Sequence, residues 1–538
     1  MSQRGGRGGK GGWTPERSVA GKRNPWLVVG VISIATFMVV LDSSIANVAL
    51  AHIAGSLSAS YDEATWVVTS FLVANAVIIP ISGWLADVIG RKRFYMISVA
   101  LFTVSSFLCG LAPSLGFLVV ARVMQGIGGG GLTPVEQSML VDTFPPEKRG
   151  LAFAAYGVVV IVGPILGPTL GGWITDNFSW NWVFFINIPV GILSLALTTF
   201  FVDEPEAIRE QRDKILQGGL RVDYPGFAFE ALFLGCLEVT LDRGQRDDWF
   251  SSPTIVICAV VAVLALLALI PWELTRDNPI IRINMLGRRN FAISSMLMLV
   301  MGMVIFSSTQ FIPQLLQEVM GYTATDAGLA LTLGGVATFL VMPLSGILSN
   351  RMDLRILIGG AFLLQGFALW HMSHLNAQMS FWDAAVARLY QSIGLPFLFV
   401  PITNIAYVGL KPEESNQASA LLNMSRNLGG TIGIAAVQTM LQRREQMHQA
   451  RYAETLNPLN PNYQQGIHHI TNALMAQGYS HLQATRAAVA VLYRQLLQQS
   501  AMLSYVETFH LLMIVVLCAV PLVLLLHKQS AGAEGAAP

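Results

Sequence analysis

The sequence predicts an all-α, polytopic membrane protein with fourteen transmembrane helices. Of its 538 residues, 53% are hydrophobic and only 12% are charged, and the mean hydropathy is +0.55. This composition is typical of membrane proteins and excludes an ordinary soluble enzyme. Apolar runs of roughly 18 to 25 residues, long enough to cross a bilayer, recur along the chain. We place the spans at 26–49, 64–86, 94–112, 116–140, 150–174, 183–202, 225–243, 253–272, 291–316, 327–349, 355–373, 381–409, 416–440 and 504–527.

Charged residues between the apolar runs predict which side of the membrane each loop faces. Lysine and arginine are concentrated in alternate loops, which indicates that these loops are cytoplasmic and that both chain ends lie inside. The 33 basic and 32 acidic residues nearly balance, so no overall charge favours a nucleic-acid partner. The basic loops contain Arg91 to Arg93, Lys148 and Arg149, Arg209 to Lys214, Arg282 to Arg289, and Arg351 to Arg355.

A repeated spacing divides the chain into two six-helix halves. Asp87 precedes Arg122 by 35 residues, Asp353 precedes Arg388 by 35, and each arginine opens an Arg-x-x-Gln pattern. Transporters built from two such halves bind substrate near the bilayer midplane, between the halves. The predicted boundaries are 1–25 for a disordered basic cytoplasmic tail, 26–202 for the N-terminal half, 203–224 for a cytoplasmic linker, 225–272 for two inserted helices, 273–290 for a second cytoplasmic linker, 291–527 for the C-terminal half and 528–538 for a cytoplasmic tail.

A polar segment at residues 441–502 interrupts the C-terminal half and is predicted to form a long outer loop. Its second part, from about 481 to 502, has helix-forming composition. His468 and His469 are adjacent, but no third ligand stands at a useful spacing, so we expect no metal site. A loop of this length on the outer face offers a docking surface for a partner protein.

Charged residues inside the spans are the candidates for moving protons. Asp42 lies well inside the first span, where an unpaired carboxylate is costly and is a functional candidate by default. Arg122 in the fourth span needs a carboxylate or carbonyl partner, and it forms either a fixed structural ion pair or a contact that modulates a titrating acid. Glu136 is a weaker candidate because its position further along that span approaches the outer interface. The alternative for Asp42 is a packing residue permanently bonded to its neighbours. We assign Glu230 and Glu238, which share roughly one face of the seventh span, to packing or to a helix interface.

The turn after the second span predicts a mechanical element. An aspartate, a glycine turn and basic residues at 83–93 can form a charge latch that opens when the halves move, and the counterpart at 346–355 is degenerate. The alternative is that these charges only set topology. The candidate gating residues are Gly83, Asp87, Gly90, Arg91 and Lys92.

The fifth span has glycines and prolines that a soluble helix would not tolerate. In a membrane, small residues four apart let two helices approach closely, and neighbouring groups can satisfy the backbone that proline frees. A tightly packed, kinked structural helix is the simpler interpretation of glycine spacing alone. The order of the residues, however, resembles the antiporter motif of drug-exporting major facilitators. The residues of this motif are Gly163, Gly167, Pro168, Gly171 and Gly172.

Taken together, these motifs resemble the major facilitator superfamily in its fourteen-helix drug:proton antiporter form. Similarity at 241–250, at 313–330 and at 457–461 extends to the inner-membrane subunit of Emr-type tripartite efflux systems. Two positions depart from the family pattern: Asn181 stands between two tryptophans where arginine is common, and Ser43 follows Asp42 where threonine is common. The matching motifs are Leu41-Asp42, Asn47-Val48-Ala49-Leu50, Gly83-x-Leu85-x-Asp87-x-x-Gly90-Arg91-Lys92, Arg122-x-x-Gln125-Gly126-x-Gly128 and Gly163-x-x-x-Gly167-Pro168-x-x-Gly171-Gly172.

The resemblance implies a secondary transporter rather than an enzyme. It would have the major facilitator fold with two inserted helices, need no cofactor beyond a proton gradient, and export lipophilic drugs across the bacterial inner membrane to a periplasmic adaptor and an outer-membrane channel. Export of fatty acids or a siderophore is the first alternative, and a membrane receptor or scaffold without transport is the second. A nutrient importer could share the fold, but the fifth-span motif argues against it. No nucleotide-binding loop is evident.

Aromatic, methionine and polar residues on the central helices are candidates for lining a substrate pocket. The alternative is that they are ordinary packing residues, since such side chains more often fill a core. The candidate lining residues are Phe37, Met38, Asn47, Gln125, Phe306 and Phe311.

Overall fold

The computed structural model describes residues 24–204, 206–217, 223–276, 279–376, 378–454 and 456–527. Within these ranges each of the fourteen predicted spans lies in a long helix. The predicted basic tail, apart from its last two residues, and the predicted C-terminal tail lie outside the described residues. The long helices are α1 Pro25–Ser56, α2 Trp66–Ile89, α3 Arg91–Gly110, α4 Leu115–Thr143, α5 Pro146–Asn177, α6 Trp182–Phe201, α7 Tyr224–Arg243, α8 Pro253–Thr275, α9 Arg289–Val319, α10 Ala324–Ser349, α11 Leu354–Met372, α12 Phe381–Ala406, α13 Ser415–Ala453 and α14 His481–Leu524.

Twelve of these helices in the described part of the chain are long and apolar enough to cross a membrane. The other two, α5 and α13, pack between them: α5 against α1 and α10, and α13 against α9 and α2. Shorter helices cover Tyr61–Ala64, Glu206–Gln217 and Pro461–Ala476.

Local sequence signals set where many helices begin. Asn24 caps α1 by accepting the backbone N–H of Trp26, and a proline occupies the next position. Ser380 and Ser480 each form a capping box at the start of α12 and α14. Such caps satisfy backbone groups that helix ends leave unpaired and that apolar side chains cannot satisfy.

The two predicted halves meet mainly along two pairs of helices. Helix α2 packs against α13, and α5 packs against α10. The inserted helices α7 and α8 pack on each other, and α7 also contacts α2 and α13. The inserted pair therefore lies beside the α2–α13 contact.

Glycines bring α9 and α13 into backbone contact. A Cβ atom at Gly429 would overlap the carbonyl oxygen of Leu299, and one at Gly302 would overlap the carbonyl oxygen of Arg426. Small residues allow such close helix packing in membranes, where apolar burial gives no preference for protein over lipid.

The prediction of a long outer loop at 441–502 is wrong, because most of that segment is helical. Helix α13 continues to Ala453, a short helix covers Pro461–Ala476, and α14 begins at His481. With 44 residues, α14 is about 66 Å long, roughly twice the hydrocarbon thickness of a bilayer. The polar residues of this segment are good helix formers, and they extend two transmembrane helices outward instead of interrupting them. We call residues 441–502 the outer projection.

Replacing Gly429 by alanine should separate α9 from α13. Because the added methyl group would meet backbone rather than a movable side chain, we expect the Gly429→Ala protein to lose about 1–3 kcal/mol of stability. The measurement is thermal unfolding of the purified protein in detergent. Gly360→Ala in α11 is the matched control, because a Cβ atom there has no heavy atom within 4 Å. Equal melting temperatures for both variants would contradict this account.

Candidate functional site

Asp42 and Arg122 form a buried ion pair between α1 and α4. The guanidinium Nη1 of Arg122 lies 2.6 Å from Oδ2 of Asp42, and both side chains are fully buried. An unpaired charge at such depth would cost far more than the pair. The sequence predicted both residues as candidates, and the structure places them in direct contact.

Polar side chains from two further helices complete this cluster. Oδ1 of Asp42 accepts hydrogen bonds from Gln125 Nε2 at 3.0 Å and from Asn187 Nδ2 at 2.6 Å. Gln125 also donates to Ser106 Oγ at 2.6 Å. The network therefore joins α1, α3, α4 and α6 around one carboxylate. Sequence reasoning missed Asn187 and Ser106, although an asparagine inside an apolar span was a signal that could have been used.

Arg122 has contacts that do not depend on the charge of Asp42. Its Nε donates to the carbonyl oxygen of Val67 at 2.9 Å, and its Nη1 donates to Gln125 Oε1 at 2.6 Å. The guanidinium also lies 4.2 Å from the centre of the Phe71 ring, a favourable cation–π distance. The arginine can therefore stay in place if Asp42 becomes neutral.

The repeated arginine in the second half has a different environment. Arg388 donates to Gln391 at 2.5 Å, to Ser308 at 3.0 Å and to Thr309 at 3.2 Å. The Arg–Gln contact is thus the same in both halves. In the described part of the chain, however, no carboxylate is among the hydrogen-bond partners of Arg388. The Arg–Gln contact is therefore common to both halves, whereas among the described residues only the arginine of the first half has a carboxylate partner.

Glu136 does not approach the outer interface, and that prediction is wrong. Its side chain is fully buried, and Thr36 donates a hydrogen bond to its Oε2 at 2.5 Å. Thr36 also lies 3.1 Å from the hydroxyl of Tyr156 on α5. The direction of α4 explains the error, because Glu136 lies near the end of α4 that carries Asp142, on the side of the basic loops. Glu136 therefore belongs to the core between α1, α4 and α5.

The predicted latch residues contact the start of α13. Asp87 Oδ1 accepts a hydrogen bond from Asn416 Nδ2 at 2.5 Å. Arg91 forms a buried ion pair with Asp142 and donates to Ser415 Oγ at 3.1 Å. This contact joins the two halves, but its partner segment is the start of α13 rather than the degenerate counterpart at 346–355. The sequence did not identify these partners, since serine and asparagine in a polar turn are not distinctive.

Two glycines let the halves approach at the same end of the molecule. A Cβ atom at Gly83 would lie 3.0 Å from the carbonyl oxygen of Asn416. One at Gly150, at the start of α5, would lie 3.0 Å from the carbonyl oxygen of Gly346 on α10. The halves are therefore in contact at this end in the described conformation.

The remaining latch residues have local roles in the geometry. Gly90 has a φ of +97°, and a Cβ atom there would overlap the carboxylate of Glu204. Only glycine adopts this conformation readily. Lys92 donates to the carbonyl oxygen of Thr199 at 3.2 Å on the exposed side of the turn.

An ion pair between Arg288 and Glu414 lies next to the latch, immediately before the start of α13. Arg288 makes two hydrogen bonds to Glu414, at 2.8 and 2.7 Å. Burial alone would raise the pKa of Glu414, but the hydrogen bonds from Arg288 and from the backbone N–H of Lys411 outweigh it and hold that pKa below its ordinary value. Glu414 immediately precedes Ser415 and Asn416, so this pair helps to fix the start of α13.

The glycine motif of α5 packs against α1 at the level of Asp42. A Cβ atom at Gly163 would lie 2.8 Å from Val40 Cγ1, and one at Gly167 would overlap the side chain of Ser44. Ser44 also donates to the carbonyl oxygen of Pro164 at 3.1 Å.

The remaining residues of the motif differ in their contacts with α1. Gly171 approaches Ile45 closely, with a Cβ atom 3.0 Å from Cγ2, whereas Gly172 has open space beside it. Pro168 lies in α5, but its side chain is outside the described residues. The motif glycines therefore contact α1 on both sides of Asp42 in sequence.

The six candidate lining residues do not share one pocket. Phe37 borders an apolar cavity of about 380 Å³ between α1 and α5. Met38 and Phe311 are packed in the core, and Gln125 belongs to the Asp42 cluster. Asn47 is exposed and bonds within its own helix, and Phe306 packs over Gly430. A role in binding stays a prediction for each of them.

Comparison with known proteins identifies the family. Residues 32–434 match the family described as Major Facilitator Superfamily. The chain belongs to the major facilitator superfamily. As a member with twelve apolar helices in its described part, it is a multi-pass membrane protein and a secondary transporter rather than an enzyme.

Relatives within the superfamily cover most of this transporter. The Multidrug export protein EmrB of Haemophilus influenzae is 42% identical over 446 residues, which is 82% of this chain and 85% of that protein. The Fatty acid resistance protein FarB of Neisseria gonorrhoeae is 37% identical over 455 residues, 85% of this chain and 87% of that protein. The solved structure of the proton:xylose symporter XylE has a TM-score of 0.58 at 13% identity, covering 91% of this chain and 94% of that one, and supports the fold alone.

Removing the amide of Asn416 should loosen the latch of this transporter. In Asn416→Ala, Asp87 loses its donor across the α2–α13 contact, so we expect the two helices to separate more often. The readout is maleimide labelling of Gln417→Cys, a buried position at this contact, in a protein whose four native cysteines are replaced by alanine. Labelling should become several-fold faster. Gln442→Ala, an amide at the other end of α13, is the control, and equal rates in both variants would exclude a latch at Asn416.

Proposed function

We propose that this transporter exports lipophilic compounds across the bacterial inner membrane in exchange for protons. The observation that carries the proposal is the buried carboxylate of Asp42, which pairs with Arg122 at the level of α1 where the α5 glycines contact a different face of that helix. The similarity to multidrug export proteins supports this cargo class. Energy would come from the proton gradient without a cofactor.

The Asp42–Arg122 pair supplies the proposed proton site. In the charged state, the two groups neutralise each other. A proton on Asp42 would break the ion pair, and Arg122 would keep the carbonyl of Val67 and the ring of Phe71. Asp42 lies about 25 Å along α1 from Pro25, and therefore nearer the predicted outer side, from which the proton would arrive. Each proton entering under a membrane potential releases about 2.3 kcal/mol per 100 mV.

Protonation of Asp42 would be transmitted through the packing of α1. A shift of α1 at Asp42 would reach α5 through the close contacts of Gly163 and Gly167 with Val40 and Ser44, and α5 packs on α10 of the other half. We propose that halves 26–202 and 291–527 rock against each other and that the Asp87–Asn416 contact breaks when the cytoplasmic side opens. Glu136, between α1 and α5, is the second candidate for a proton carrier.

The cargo is proposed to be apolar. The cavity beside Phe37 is also lined by Trp26, Val29, Ile34 and Val159, which suits a lipophilic molecule. Fatty acids are the first alternative, because a relative of 37% identity is a fatty acid resistance protein. A siderophore would need more polar contacts than this cavity offers. A receptor without transport would not need an ion pair at Asp42.

The orientation and the partners are part of the same proposal. Basic loops indicate that both termini are cytoplasmic, which places the outer projection in the periplasm. Large apolar side chains there are exposed, including Leu459 at 91%, Leu482 at 63% and Tyr493 at 56%. We propose that this surface binds a periplasmic adaptor, which would connect the transporter to an outer-membrane channel.

Replacing Asp42 by asparagine should abolish drug-evoked proton movement. In everted vesicles that hold a pH gradient, a lipophilic drug should lower the gradient with the wild type and leave it near the level of empty vesicles with Asp42→Asn. Asp176→Asn, which changes an exposed aspartate at the end of α5, is the control and should behave like the wild type.

Other outcomes of the vesicle experiment have clear meanings. Equal proton movement in the wild type and Asp42→Asn would make Asp42 structural, and Glu136→Gln would then be tested. If no lipophilic compound and no fatty acid disturbs the gradient, the receptor interpretation gains support.

Polar substitutions on the outer projection should weaken adaptor binding without affecting transport in vesicles. We expect the combined Leu459→Gln, Leu482→Gln and Tyr493→Gln protein to recover several-fold less adaptor on co-purification, because apolar contact area is lost. Arg486→Gln, an exposed polar position on the same projection, is the control. Unchanged recovery with the triple variant would remove this surface as the docking site.

A further inference from the structure

The inserted helix α7 contains a buried carboxyl group without a visible counter-charge. Glu230 is fully buried, and neither of its carboxyl oxygens has a hydrogen-bond partner in the described structure. Its helix packs against α8, α2 and α13, so the side chain is enclosed by protein. An ionised carboxylate in such a place costs several kcal/mol or more, even after relaxation.

A second buried carboxyl group faces Glu230 from α8. Glu273 is 1% exposed, and its Oε2 accepts the backbone N–H of Ile281 at 3.3 Å, whereas its Oε1 has no partner. A Cβ atom at Gly226 would lie 2.8 Å from this Oε1. Gly226 precedes Glu230 by one turn, and helical side chains lean towards the N-terminus, so the two carboxyl groups point to the same space.

The other acidic groups of α7 have partners of their own. Glu238 accepts hydrogen bonds from Thr431 of α13, and Asp242 accepts one from Thr69 of α2. Arg426 of α13 is buried with its Nε and Nη1 unpartnered, and it makes no hydrogen bond to Glu230, whose two carboxyl oxygens have no partner in the described structure.

The groups at the cytoplasmic end are also engaged. Asp223 accepts hydrogen bonds from Trp272 Nε1 and from the backbone N–H of Gly226. Arg276 lies over the Trp272 ring at 4.2 Å, on the exposed side. In the part of the chain that the structure describes, no cation therefore pairs with Glu230.

We propose that Glu230 and Glu273 form a proton-binding site in the inserted helix pair, separate from Asp42, in which Glu230 carries the proton. The asymmetry follows from the contacts, because Glu273 has a backbone donor and Glu230 has none. Two carboxyl groups that share one buried space cannot both be charged without a cation. The site takes up one proton and needs no other ligand.

The proton reaches this site from the predicted cytoplasmic side. Asp223, at the start of α7, is only half-buried, and Glu273 lies in the last turn of α8 beside Ile280 and Ile281. Gly226 leaves room between Asp223 and Glu273, since a Cβ atom there would lie within 3 Å of both carboxylates. Loading of Glu230 therefore follows the pH of that compartment. Helix α7 also contacts α2 and α13, so the charge of the site affects the helices that form the latch.

Infrared difference spectroscopy of the purified full-length protein at neutral pH tests the assignment. The wild-type minus Glu230→Gln spectrum should contain the carbonyl-stretch band of a protonated carboxylic acid. The wild-type minus Glu273→Gln spectrum should contain the bands of a carboxylate and of the introduced amide but no protonated-acid band, because Glu230 keeps its proton. Glu318→Gln, which removes an exposed carboxylate, is the control and should also give no protonated-acid band.

Three results would overturn the proposal. The first is a carboxylate-only spectrum for Glu230→Gln. The second is the same spectrum together with a melting temperature that depends on the concentration of sodium or potassium ions. This result would mean that a metal cation occupies the space between Glu230 and Glu273. The third is loss of the Glu230 band when both proteins also carry Asp42→Asn, which would show that the two sites are not separate.

A thermal measurement keeps the proposal testable if Glu230→Gln is poorly folded. Because the folded protein holds on Glu230 a proton that an unfolded glutamate releases above its ordinary pKa of about 4.3, the wild-type melting temperature should fall as the pH rises from about 5. The fall should be smaller in Glu230→Met, which fills the same space without a titrating group. Identical pH profiles for the wild type and this variant would also reject the site.

Discussion

The requirement that a buried charge be compensated governs the first half of this transporter. Asp42 is acceptable inside the membrane because Arg122 lies 2.6 Å away and because Gln125 and Asn187 donate to its other oxygen. Three helices supply these groups, so the ion pair also sets how those helices pack. The second half has the same Arg–Gln contact at Arg388, but with neutral oxygens around it. The two halves are thus alike in framework and differ in the carboxylate that pairs with the arginine in the first half.

Glycines connect this ion pair to the contacts between the halves. The motif of α5 packs on α1 around Asp42, and the other end of α5 approaches α10 at Gly150. Gly83 allows a similar approach of α2 to α13, beside the Asp87–Asn416 hydrogen bond. In a membrane, close packing of small residues replaces the hydrophobic effect as the force between helices. A small displacement of α1 therefore displaces α5 directly and, through α5, displaces α10.

The inserted helices and the outer projection extend the framework of the superfamily. Helix α7 lies against both α2 and α13, and its acidic side chains face threonines of each. Glu230 and Glu273 give this pair a buried group that responds to protons, independently of the central site. The outer projection continues two membrane helices by several turns and exposes large apolar side chains. Both additions lie beside the transport core.

The long helices of this protein and its family follow from the sequence alone, because they depend on composition and on local spacing. Apolar runs of membrane length predicted a helix for each of the fourteen spans, and the motifs around Asp42, Arg122 and Gly163 indicated the family. The hydrogen-bond partners of the site residues were decided by the tertiary structure, because a contact between distant helices depends on how each helix is rotated. Asn187, Ser106 and Asn416 are ordinary polar residues in the sequence, and only folding brings them to Asp42 and Asp87. The burial of Glu136 was likewise decided by packing, since polarity alone does not distinguish a surface from an enclosed core, whereas composition had already indicated a helix at about 481–502.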